Sequence, residues 1–144
     1  MEASFNNRER RRHPRVFVDL PLEYQDMGDS CLHGAIVVDA SEGGFLIEST
    51  GGIPVGTELS ITVLYPKGFT LADFKVVAKI VWKKPHSKKD FKGNPYWAGY
   101  QYGLEFVQIS DKDRWKLKFL LGDRYNLEQM STNNEVSVGK GAEF

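Results

Sequence analysis

From Val16 to Val107 the chain repeats one theme: runs rich in valine, isoleucine, tyrosine and phenylalanine, partly alternating with polar residues and cut by turn signals. The runs are RVFVDLPLEYQ, CLHGAIVVDA, GFLIES, TELSITVLYP, FKVVAKIVWKK and YQYGLEFVQ, and the separators are MGDS, SEGG, TGGIPVG and a long SKKDFKGNP. Period-two alternation of this kind marks strands with one buried face. An open sheet of six strands would expose two edges, so the expected fold is mainly β: a six-stranded antiparallel barrel over residues 16–107. At 144 residues the chain has room for one core, hence one domain.

One helix is legible, SDKDRWKLKFLLGDRY over 110–125, with Ser110 as N-cap and Asp113 three positions on. Trp115 and Phe119 fall on one side, with Leu117, Leu120 and Leu121 roughly opposite. That pattern fits a fully buried helix, or one that covers the barrel and turns its other side to a partner in a homodimer. Residues 1–7 and 126–144 are polar and expected to be flexible.

Acidic and basic side chains balance at 19 each, which disfavours general polyanion binding, yet the charge is segregated. Residues 8–15, RERRRHPR, hold five arginines and one glutamate, a net +4 against −4 in the rest of the chain. A local field of that kind suits a small anion. Pro14 bars a helix and holds His13 extended, so Arg11 and Arg15 share one side of the arm, with Cα atoms roughly 13 Å apart at about 3.3 Å per residue. A guanidinium can grip a phosphate, grip the O6/N7 edge of guanine by the same fork, or stack on a base.

The second stretch is DASEGG, residues 39–44, at the end of a run reading GAIVVDA. Asp39 can accept from the N–H groups of a guanine and Ser41 can donate to a phosphate, while the missing Cβ atoms of Gly43 and Gly44 allow backbone N–H groups to face an anion. Taken singly, the arm reads as a solvated tail and DASEGG as an ordinary turn.

Catalysis finds no support. His13, His33 and His86 share no metal-ligand spacing, and HExxH, CxxC and a nucleophile elbow are all missing. Cys31 is the single cysteine and cannot form an intramolecular disulfide; no apolar run approaches the ~20 residues of a membrane span, and the N-terminus lacks the apolar core of a secretion signal. The chain reads as cytosolic. A second basic stretch, KKPHSKKDFK over 83–92, has Phe91, Tyr96 and Trp97 beside it. It reads either as a solvated loop anchored by its rings, the favoured reading, or as a nucleic-acid surface.

Taken together, Arg11-x-x-x-Arg15 before the first strand and Asp39-x-Ser41-x-x-Gly44 at the end of the second resemble the two signature motifs of the PilZ domain family. The likeness covers roughly residues 8–122, including the six runs, the YGLEF segment with Gly103 and Phe106, and the helix. The resemblance implies a six-stranded barrel of bacterial origin that binds cyclic di-GMP, without a further cofactor, and passes the signal to a protein partner. It implies that Arg11 and Arg15 hold phosphate and guanine, that Asp39 and Ser41 bond the base and phosphate region, and that Gly44 permits the turn, with Gly43 beside it in the expected ligand site. Arg10, by the same likeness, goes with an intercalated pair of ligand molecules in place of one. Trp82 and Gly103 join the implied ligand site, although Trp82 is also a candidate for the core or the barrel rim. A ligand-independent interaction module is the remaining alternative.

Overall fold

Along β1 (Val16–Asp26) alternate side chains are buried, from Val16, Val18 and Leu20 to Leu22 and Tyr24, while Phe17, Asp19, Pro21 and Glu23 face outward. β2 (His33–Ala40), β3 (Gly44–Ser49), β4 (Glu58–Lys67), β5 (Thr70–Lys89) and β6 (Pro95–Gln108) follow. A computed structural model describes residues 14–132, with side chains as far as residue 122. Every strand pairing is antiparallel, and the strands close in the order β1-β2-β3-β6-β5-β4. The six alternating runs therefore form the barrel that they predict, because closure leaves no row of unpaired backbone groups around the ring.

Inside the barrel, Ile47, Leu59, Ile61, Phe74, Ile80 and Tyr102 are fully enclosed. Burying an aliphatic or aromatic side chain of this size stabilises the fold by about 1.5–3 kcal/mol. The Tyr102 hydroxyl accepts from the Ile53 N–H at 2.8 Å and donates to the carbonyl of Gly51, which ties the loop after β3 over one end of the barrel.

The helix α1 (Asp111–Thr132) packs on β5 and β1 near the other end, where β6 finishes beside Gly44. Ser110 caps it as the spacing predicts: its Oγ accepts from the Asp113 N–H at 3.1 Å and donates to the Asp113 carboxylate at 2.7 Å. Asp113 also accepts from the Lys75 N–H, and Lys116 donates to the Asp73 carbonyl, so the first turns are fastened to the start of β5. Leu117, Leu120 and Leu121 are buried whereas Trp115 and Phe119 are exposed, so the helix is not buried all round. It runs to Thr132, beyond the expected end at 125, since residues 123–132 contain neither proline nor glycine to stop it and Gly122 lies within it.

The expected SKKDFKGNP connection is a second difference. β5 and β6 continue pairing through Lys88 and Trp97 to Lys89 and Pro95, so most of the basic stretch is strand and only residues 90–94 turn. Asp90 accepts from the N–H groups of Lys92 and Asn94, each at 2.9 Å, and Gly93 takes φ 88°, a left-handed conformation that glycine adopts without a Cβ clash. That turn lets the hairpin extend further than composition suggests.

A candidate nucleotide-binding cleft

The DASEGG segment closes on itself at the β2–β3 junction. Ser41 N–H donates to the Gly44 carbonyl at 2.9 Å, Gly43 N–H donates to Ser41 Oγ at 3.1 Å, and the Gly43 carbonyl accepts from Phe106 N–H at 2.9 Å. The Ser41 and Gly43 N–H groups are thus engaged within the turn itself. The hydroxyl hydrogen of Ser41 remains to donate outward, since its oxygen is the acceptor in the turn.

Gly44 is required for a reason other than turn dihedrals. A Cβ there would run into the Leu104 carbonyl oxygen, with the Leu104 carbonyl carbon 3.2 Å away. β3 and β6 approach closely at this point, which seats the turn against the start of the last strand.

Two β-bulges aim the neighbouring side chains. Between β2 and β3, Val37 pairs with Ile47 and Asp39 with Leu46, leaving Val38 as the extra residue. Between β5 and β6, Ile80 pairs with Leu104 and Trp82 with Gly103, leaving Val81 extra. Each bulge resets the alternation, so Asp39 and Trp82 fall on the outer face of the barrel where strict period two would turn Trp82 inward. Trp82 is 37% exposed and occupies the outer surface of Gly103, so it is not a core residue. A Cβ at Gly103 would meet three atoms of the indole ring.

These elements surround a cleft of about 340 Å³, within the roughly 300–1,000 Å³ range of small-ligand sites. Arg15, Ser41, Gly43, Gly44, Trp82 and Gly103 all line it. Asp39 stands beside this lining, opposite Phe17 on β1 and Leu46 on β3. Arg10 and Arg11 lie outside the described residues. The lining adds Val81, Phe45, Leu104 and Glu105, which sequence reasoning missed. Val81 is there because it is the bulged residue, and no residue type signals a bulge at a valine; Glu105 lies within the YGLEF segment that the family likeness covered.

Chemically, the cleft pairs a guanidinium and a hydroxyl donor with a carboxylate acceptor, an exposed indole and a glycine floor. An indole stacks on a base, a guanidinium binds phosphate or the guanine edge, and a carboxylate accepts from ring N–H groups. Among the described residues no group of three or more histidine, cysteine, aspartate or glutamate side chains could hold a metal ion. No helix of the described residues is long and apolar enough to cross a membrane.

Solved structures share this architecture. The PilZ domain with c-di-GMP of YcgR from Escherichia coli superposes with a TM-score of 0.66 at 14% identity, covering 87% of this chain and 98% of that one. The K. pneumonia MrkH–c-di-GMP complex gives 0.65 at 14% identity, covering 85% of this chain and 53% of that one. The Bacillus subtilis inhibitor of motility MotI/DgrA gives 0.59 at 17% identity, covering 83% and 51%. The chain spans about half the length of the last two, and at these identities the likeness is one of fold. No curated protein sequence matches the chain significantly. The family model for the PilZ domain matches residues 9–123, from within the arginine arm to the helix that caps the barrel, and the chain belongs to the PilZ domain family.

Proposed function

We propose that this chain is a receptor for cyclic di-GMP, acting in the cytoplasm as a binding module without catalysis of its own. The observation that carries the reading is the convergence of Arg15, Ser41, Trp82 and Gly103, which come from β1's leading edge, the β2–β3 turn, β5 and β6, on one cleft. In this reading a guanine of the ligand stacks on Trp82, Arg15 and Arg11 bind phosphate and the guanine edge, Ser41 donates to phosphate, and Asp39 accepts from the base. Arg10 adds the charge that a second, intercalated ligand molecule requires. The family membership and the two similar PilZ structures described with c-di-GMP support the choice of ligand.

The five arginines of residues 8–15 repel one another, and a dianion bridging them to the cleft removes that repulsion. Ligand binding and docking of the arm on the barrel are then one event, and the altered surface is what a protein partner reads. Calorimetric titration with cyclic di-GMP, with GTP and cyclic di-AMP as controls, tests the receptor. Guanine-selective, saturable heat that disappears in Arg11→Ala and Arg15→Ala supports it, and a stoichiometry near two that falls in Arg10→Ala supports the paired ligand. Absence of heat for the wild-type chain sinks the receptor reading, leaving a ligand-independent module. Equal protease sensitivity of the arm with and without bound ligand would sink the ordering step alone.

A further inference from the structure

The β5–β6 hairpin continues past the barrel. β3 pairs with β6 no further than Ser49 with Tyr100, and β4 pairs with β5 no further than Glu58 with Lys79. From Tyr100 to the turn the two strands pair only with each other, over roughly 15–20 Å at about 3.3 Å per residue. This ribbon leaves the barrel beyond the end of β3, whereas the cleft and the foot of the helix lie toward the Gly44 end.

The ribbon is held firmly. Glu48 on β3, its side chain 8% exposed, accepts from Lys88 Nζ at 2.7 Å and from Gln101 at 3.1 Å, and lies 3.6 Å from His86 Nε2. Lys88 also sits over the Trp97 ring, 5.2 Å from its centroid. One lysine and one tryptophan are thereby used to brace the ribbon against the barrel, and nearer its base Lys83 and Lys84 lie over the rings of Tyr100 and Trp82.

What remains at the tip is cationic and aromatic. Lys89 and Lys92 are exposed, Phe91 is 95% exposed and Tyr96 68% exposed. Lys92 Nζ lies 5.8 Å from the centroid of the Phe91 ring, so charge and ring share the apex. The single acid of the turn, Asp90, is occupied by the backbone N–H groups of Lys92 and Asn94.

We propose that this apex docks on an anionic lipid surface, with Phe91 at the acyl boundary, Tyr96 at headgroup level and Lys89 and Lys92 among the headgroup phosphates. Three features favour lipid over duplex nucleic acid. The cations are all lysines, point charges suited to a diffuse negative sheet, without the arginine fork that reads base edges. Phenylalanine has no polar atom to satisfy in a groove, whereas an exposed ring flanked by lysines matches the membrane interface. The chain outside residues 8–15 and 83–97 is net −8, which repels a long polyanion laid against it. Lys89, Phe91 and Lys92 lie beyond the brace at Lys88 and Trp97, so they are the part of the ribbon that meets a charged plane first. The inference is independent of the cyclic di-GMP reading.

The test is co-sedimentation of the full chain with phosphatidylcholine vesicles, with and without phosphatidylserine, beside gel shift of a short DNA duplex. Binding is expected only to the anionic vesicles, falling about fivefold for each of Lys89→Gln and Lys92→Gln, falling also in Phe91→Ser, and unchanged in Lys67→Gln at the opposite end of the barrel. The substituted side chains are exposed, and circular dichroism checks that each variant keeps its fold. Failure to bind anionic vesicles, equal binding to neutral ones, undiminished binding by the tip variants, or a DNA shift without vesicle binding would each overturn the proposal.

Discussion

Trp82 fills the space that a side chain on Gly103 would need: Nε1, Cε2 and Cδ1 of its indole all come within 2.6 Å of where a Cβ would stand. The glycine and the tryptophan are partners across β5 and β6, paired in register by the bulge at Val81. The outward ring and the bare backbone beneath it form one wall of the cleft.

Gly103→Ala therefore pushes the indole aside, and because Trp82 is partly exposed the ring can swing outward without breaking the core. Stability should change by less than about 1.5 kcal/mol, whereas affinity for cyclic di-GMP should fall about tenfold or more, one stacking contact being worth about 1–3 kcal/mol. Paired denaturation and calorimetry on the same variant check this. A large loss of stability with unchanged affinity would contradict it.

Gly44→Ala should behave in the opposite manner. Here the added Cβ meets the backbone carbonyl of Leu104 on a buried strand, which cannot swing away. A loss of about 1–3 kcal/mol is expected from the forced backbone shift, visible as a Tm lowered by roughly 2–12 °C. Thermal unfolding followed by far-ultraviolet circular dichroism measures it.

Glu48 links the ribbon to the barrel and has a pH signature. Burial alone raises its pKa, but hydrogen bonds from Lys88 and Gln101 and the charges of Lys88 and His86 outweigh burial and hold it below the ordinary 4.5. A carboxyl lowered on folding contributes stability that is fully present above pH 4.5 and is lost as pH falls through the folded value. Glu48→Gln should thus lower unfolding free energy by about 1–3 kcal/mol near neutral pH, with the gap narrowing toward roughly pH 3. Urea unfolding of both proteins at the two pH values tests the sign; a gap that widens in acid would refute it.

Ser110→Ala removes the oxygen that accepts from Asp113 N–H and frees the Asp113 carboxylate from its hydroxyl partner. Loss of an N-cap of this type costs about 1 kcal/mol. Since Leu117, Leu120 and Leu121 still bury their side chains, α1 should loosen at its first turn while staying on the barrel. Faster amide exchange confined to residues 111–114 is the expected readout.

Strand content and the helix start were legible in residue order because both depend on local chemistry: alternation sets a strand's buried face, and a serine three residues before an aspartate caps a helix; closure followed only from the cost of leaving two sheet edges open. The two motifs were legible as a family likeness, and Arg15, Ser41, Gly43, Gly44, Trp82 and Gly103 line one cleft, while Arg10 and Arg11 lie outside the described residues. Residue order could not reveal which face Trp82 takes, since one bulged valine reverses the alternation and valine carries no mark of it. Nor could it tell a solvated basic loop from a braced ribbon. That difference rests on Glu48 and Lys88, forty residues apart in sequence and 2.7 Å apart in space, whose pairing exists only once β3 and β5 have closed into the same barrel.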